Sequence, residues 1–160
     1  KYIYTELGYL TDSVYLTVMH HEEVMNVRKF QDADRSSLIE LWNTVFPDDP
    51  PHNEPSIVID AKLAVDDLIF LAEHEGKLIG ACMAGYDGHR GWLYAVAVLP
   101  SQRRSGTGAA LVKYAMQSLK EIGCTKVNLQ IRSTNTEVSA FYKALGFATE
   151  ERLSMGAFIE

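Results

Sequence analysis

A chain of 160 residues with 47% hydrophobic and 22% charged residues has the composition of an ordinary soluble globular protein, and its length suits one domain with a sizeable core. Its formal charge of −6 argues against general nucleic-acid binding, and no apolar stretch approaches bilayer length. Cys82 and Cys124 stand in apolar or strand-like settings without metal-ligand spacing, so no metal is expected and both read as reduced thiols of a cytoplasmic protein. The opening stretch, KYIYTELGYLTD, lacks the basic start and apolar core of a secretory signal.

In chain order, Met25 to Phe30 reads as a short strand. Asp32 or Asp34 can cap a helix with Leu38, Leu41, Trp42 and Val45 on its apolar face, and Pro47 ends it. Residues 47–55 (PDDPPHNEP) form a loop by composition. Ser56 to Asp67 is expected as a second helix. Leu68 to Glu73 and Lys77 to Tyr86 flank His74, Glu75 and Gly76 as a β-hairpin. Asp87 to Gly91 turns the chain into Trp92 to Leu99, whose continuous apolar run suits a strand buried on both faces.

After that strand the period changes. Leu111, Val112, Ala115, Leu119 and Ile122 share one helical face, and Gly123 sits where a left-handed cap belongs. Lys126 to Arg132 alternates, with Val127, Leu129 and Ile131 inward, as a strand does. Asn135 to Ala144 is a short helix, and Gly146-Phe147 opens a last strand or hairpin. The expected fold class is α/β, a mixed central sheet of about six to seven strands flanked by about four helices.

The turn between the apolar strand and its helix carries the chemistry. Gly106 and Gly108 have no side chains to block close approach, so backbone N–H groups from Arg104 to Ala109 can surround an anion. The helix N-terminus contributes roughly half a positive charge, and Arg103 and Arg104 add whole ones. A diphosphate suits that setting. The P-loop pattern is absent, and the dinucleotide fingerprint would need Gly where Leu111 stands.

The spacing of Arg103, Gly106 and Gly108 after an apolar strand resembles the pyrophosphate loop of the GCN5-related N-acetyltransferase (GNAT) family, which binds acetyl-coenzyme A. The segment from Ser133 to Phe147 (STNTEVSAFYKALGF) is similar to that family's second conserved block, through Asn135, Tyr142, Gly146 and Phe147. GYDGHRG (Gly85 to Gly91) looks most like a small, poorly defined bacterial subgroup. The resemblance covers about residues 25–160.

It implies a GNAT fold in which acetyl-CoA lies between two splayed strands. Val96, Ala97 and Val98 would pair with the pantetheine amides, and Arg103, Arg104, Ser105, Gly106, Thr107, Gly108 and Ala109 would hold the pyrophosphate. Asn135 would reach the pantetheine chain, although its position also fits a helix N-cap. Tyr142 would hand a proton to the departing thiolate, where the competing role is ring packing. The acceptor would be a small-molecule amine or a peptide N-terminus, with residues 47–55 and 85–91 near it.

Two relatives' general bases are missing. The Glu positions of histone-acetylating and of N-terminal-Ala-acetylating members align with Trp92 and Gln130, and neither can take a proton. Glu73, His74, Asp87 and His89 remain as acceptors, directly or through water. A non-catalytic acyl-CoA-binding or regulatory module is the competing function. Finally, Tyr4 to Asp12 (YTELGYLTD) parallels Tyr142 to Glu150 (YKALGFATE), and Val14 to Met19 reads as a following strand. Residues 1–24 are therefore expected to be the tail of a preceding GNAT unit, favouring a homodimer.

Overall fold

Strand β2 (Ile69–His74) explains the layering. Ile69 and Leu71 point to one face and Phe70 and Ala72 to the other, and all four are inaccessible to solvent. A strand buried on both faces needs a helical layer on each. One layer is α1 (Arg35–Val45) and α2 (Pro55–Leu63), which set Leu38, Leu41, Trp42 and Ile59 against Ile69, Leu71, Ala81 and Ala97. The other is α3 (Thr107–Glu121) with α4 (Thr136–Ala144), which set Leu111, Val112, Leu119 and Tyr142 against Phe70, Cys82 and Leu93. Burying a Leu- or Phe-sized side chain contributes about 1.5–3 kcal/mol, so these two clusters carry most of the stability.

A computed structural model describes residues 25–159. Strands β1 (Asn26–Lys29), β2, β3 (Lys77–Tyr86), β4 (Gly91–Val98) and β5 (Val127–Asn128) lie in the order β1-β2-β3-β4-β5. The first three joints are antiparallel and β4 runs parallel to β5. The β2–β3 hairpin closes on Glu75 and Gly76, with φ of 52° and 69°, as a two-residue turn requires. Among the described residues, no helix is long and apolar enough to cross a membrane.

Four expectations shift. Helix α2 spans Pro55–Leu63, short of Asp67: Glu54 caps Ile57 at its start, and after its end the Asp66 carboxylate accepts from the Leu68 N–H at 2.9 Å in the turn that leads into β2. Ile122 lies beyond the end of α3 and is half exposed, while Gly123 has φ 92° as expected. The strand expected from Lys126 to Arg132 is paired only at Val127 and Asn128, because β4 bends away from it. No strand follows Phe147 among the described residues. Leu153, Met155 and Phe158 are exposed there, and only side-chain ties, such as the Lys126–Glu150 ion pair, follow β5. The sheet therefore has five strands rather than six to seven. The readings made for residues 1–24 lie outside the described residues.

The bend in β4 has a local cause. Tyr94 pairs with Met83 and Ala97 with Ala81, so Ala95 and Val96 together face Cys82. Two residues opposite one is a β-bulge, and it bends the strand that carries it. Ala95 adopts φ 44°, which costs an L-residue about 1 kcal/mol. Trp42 offsets that cost, its indole Nε1 donating to the Ala95 carbonyl at 3.2 Å.

Candidate active site

The site begins where β4 ends. A short turn over Pro100–Gln102 leads to Arg104, at φ 63°, and Gly106, at φ 89°, before α3 starts at Thr107. The left-handed residues Arg104 and Gly106 fold the chain into a tight turn just ahead of the helix, the kind of conformation that forms anion-binding nests. No side chain caps α3, so its first N–H groups are left for an anion. Ser105 Oγ donates to the Gln102 carbonyl at 2.7 Å and meets Thr107 Oγ1 at 2.8 Å, fixing the turn from inside.

Gly106 and Gly108 serve different needs. A Cβ at Gly106 would meet nothing within 4 Å, so its requirement is the left-handed backbone. At Gly108 a Cβ would come within 3.3 Å of the Phe141 ring and 3.7 Å of Val98, so its requirement is space. The loop thus forms a backbone cradle flanked by Arg103 and Arg104, against which a methyl group at Gly108 would press Phe141 and Val98. Arg104 reaches Glu137 of α4 at 3.5 Å, both largely exposed, a contact that water screens almost entirely.

The cradle opens into the gap between β4 and β5. Their ladder stops at the Trp92–Asn128 pair, so the edge of β4 running through Val96, Ala97 and Val98 faces β5 without strand pairing. Continuing the register would bring Gln130 level with Tyr94. Val96 and Val98 pack toward the α3 side and Ala97, 1% exposed, toward α1. Only their backbone groups meet the gap.

Helix α4 supplies the far wall. Asn135 is its N-cap, accepting from the Val138 N–H at 3.2 Å through Oδ1, while its Nδ2 donates to no described residue. The cap is therefore real, and a donor is left over. Tyr142 is 7% exposed, its ring edge-on to Phe141 at 4.9 Å and to Phe147 at 5.4 Å. Its hydroxyl makes no hydrogen bond to any described residue, yet it is not among fully enclosed polar atoms. Burial, with a smaller contribution from the nearby Cys82 thiol, pushes that hydroxyl above the ordinary phenol range. It stays protonated at neutral pH, as a proton donor must.

The four candidate proton acceptors are not gathered at this gap. Glu73 is locked by Arg28 at 2.5 and 3.1 Å, and Arg28 also binds Asp34 at 2.7 and 2.8 Å. That cluster joins β1 and β2, with β3 and β4 standing between it and β5. His74 ends β2 at the Glu75–Gly76 turn, on the same distant side. Asp87 accepts from the His89 and Arg90 N–H groups at 2.7 and 2.6 Å, and those bonds hold its carboxyl below the ordinary range. His89 lies exposed in that turn. Trp92 and Gln130, at the positions of the two relatives' bases, carry no group that takes a proton. Among the described residues, no three His, Cys, Asp or Glu side chains group closely enough to hold a metal ion.

Phe141 and Tyr94 shape the gap and escaped the sequence reading, and Trp42 was read only as part of an apolar helix face. Trp42 and Phe141 sit on apolar helix faces, where periodicity signals burial alone. Tyr94 lies on the exposed face of β4, stacked at 6.5 Å on Trp92. The one sign was a second aromatic, after Trp92, in a run otherwise filled by Leu, Ala and Val.

Comparison with known proteins agrees with this arrangement. The profile of the Acetyltransferase (GNAT) family matches residues 35–147. An acetyltransferase of Yersinia enterocolitica is 36% identical over 133 residues, covering 82% of this chain and 94% of the relative. An acetyltransferase of Pectobacterium atrosepticum matches at the same identity and coverage. Among solved structures, the aminoglycoside N-acetyltransferase AAC(6')-Iy in complex with CoA superposes with a TM-score of 0.74 at 20% identity, covering 88% of this chain and 99% of that one. The α/β layering, the parted strands and these matches together make the chain a member of the GNAT family and an enzyme of the N-acetyltransferase class.

Proposed function

We propose that the chain transfers an acetyl group from acetyl-CoA directly to a primary amine, a small molecule or a peptide N-terminus, with both substrates bound at once. The loop from Arg103 to Ala109 takes the diphosphate, the unpaired edge at Val96 to Val98 takes the pantetheine amides, and Asn135 adds its spare Nδ2. A bond forms between the amine nitrogen and the acyl carbon, the carbon–sulfur bond breaks, and the sulfur takes the Tyr142 proton. The observation that carries this reading is the Tyr142 hydroxyl, partly enclosed at the α4 wall, protonated at neutral pH and bonded to no described residue. The amine arrives neutral; on attack its nitrogen releases one proton to water, and a proton from water restores the Tyr142 hydroxyl, so the products are the amide and free CoA thiol.

Release of free thiol from acetyl-CoA, measured across a panel of primary amines, tests the reading. Amine-dependent release, abolished when CoA binding is abolished, is the expected result. Binding of CoA without release by any amine would favour instead the acyl-CoA-binding module, a reading supported by the neutral Trp92 and Gln130 and by the ion-paired Glu73.

A further inference from the structure

Beyond Phe147 the chain joins neither core, yet past the Lys126–Glu150 ion pair it is tied down at two further points. Ser154 Oγ accepts from Gln130 Nε2 at 2.5 Å. The Phe158 ring stands edge-on to His52, with centroids 5.4 Å apart. These anchors lie on opposite sides of one opening. Leu129 and Ile131 pack toward the α3 side, so Gln130 between them faces the α1–α2 side of the gap. His52 belongs to the short turn Pro51–Asn53, in the loop between α1 and α2; α1 carries Trp42, the residue bonded to Ala95.

A segment running from Ser154 to Phe158 therefore links Gln130, on the β5 side, to the α1–α2 loop. Four residues reach at most about 14 Å, which bounds the span. The crossing is held lightly. Met155 is 93% exposed and Phe158 83%, so neither anchor is reinforced by burial.

We propose that residues 154–159 form a gate on the acceptor side of the cleft, latched by Phe158 on His52, and that this latch sets the size of amine admitted. The proposal rests on the acyl-transfer reading above. The diphosphate loop lies at the start of α3, on the other helical layer, so the donor does not pass beneath the gate. A small amine slips under the strap. A multi-ring amine needs the latch open.

Two variants test this. Ending the chain after Leu153 removes both anchors, and Phe158→Ala removes only the latch; neither touches buried residues. With acetyl-CoA as donor, kcat/KM for neamine should rise about 10-fold in both, while that for methylamine stays within about twofold. CoA affinity by calorimetry should not change. Equal effects on the two amines, or a loss of CoA affinity, would overturn the gate. A His52→Cys, Phe158→Cys double variant supplies a readout without turnover, since dibromobimane fluoresces on bridging two nearby thiols and Cys82 and Cys124 are buried. The bridge should form, and the bridged protein should bind CoA like its parent and lose neamine turnover first. Failure to bridge, with turnover intact, removes the gate alone. Absence of turnover with either amine in the parent protein removes the transfer reading and the gate's role with it.

Discussion

The indole of Trp42 and the carbonyl oxygen of Ala95, 3.2 Å apart, tie the α1 layer to the one kink that parts β4 from β5. Trp42 is 3% exposed, so its removal strands a polar carbonyl. Trp42→Phe should cost about 1–3 kcal/mol in urea unfolding. It should also lower acetyl transfer more than stability alone explains, because the bulge is no longer held. A variant as stable as the parent would show that water replaces the indole.

Gly106 and Gly108 should fail differently when changed to Ala. Gly106→Ala strains a left-handed position by about 1 kcal/mol and loosens the start of α3. Gly108→Ala instead adds a methyl group at the cradle and presses on Phe141. Both should weaken CoA binding in calorimetry by about tenfold or more. Adding Phe141→Ala separates the causes at Gly108. Rescue of affinity would assign the defect to the Phe141 contact, and persistence, which is expected, to the ligand's own space.

Tyr142→Phe removes one oxygen from a packed ring. Its fold and CoA affinity should match the parent, and turnover should fall about 10²- to 10⁴-fold under conditions where chemistry limits the rate. Unchanged turnover under those conditions would return Tyr142 to a packing role.

Alkaline stability gives an independent check on the core around that ring. Burial raises the Cys82 thiol from 9.0 to about 12, and Tyr142 also moves upward. Above pH 9 the unfolded chain releases the Cys82 proton while the folded one keeps it, so stability must fall as pH rises from 9 toward 12. The slope from one such group is about 1.4 kcal/mol per pH unit. Urea unfolding of Cys82→Ala should show a shallower fall over that interval. An unchanged slope would mean that the thiol is not the group titrating.

The site was legible where chemistry is written in backbone demands. Gly106 and Gly108 mark a conformation and a space that other residues deny, so their spacing survives as a signal. β5 was overread for the opposite reason. The alternation of Val127, Leu129 and Ile131 records which face is buried, and all three do pack toward the α3 core. It carries no record of whether the backbone between them is paired, and pairing ends at Asn128. The Ala95 bulge left no trace either, since its positive φ is stabilised by Trp42, distant in sequence. The candidate bases were spread along the chain, and only the strand order separates Glu73 and His74 from the gap. The tail after Phe147 has strand-like residues, but Leu153 and Met155 have no neighbouring surface to cover.

The parting of β4 and β5 also has a consequence for solubility. Two unpaired strand edges facing one another present the same row of donors and acceptors through which sheets of different molecules fuse. A straight β4, rich in Val and Ala, would be such a template. The kink at Ala95 twists that edge out of plane within a few residues, and β5 is too short to extend it. The geometry that parts β4 from β5 is therefore also what denies a foreign strand a flat place to add.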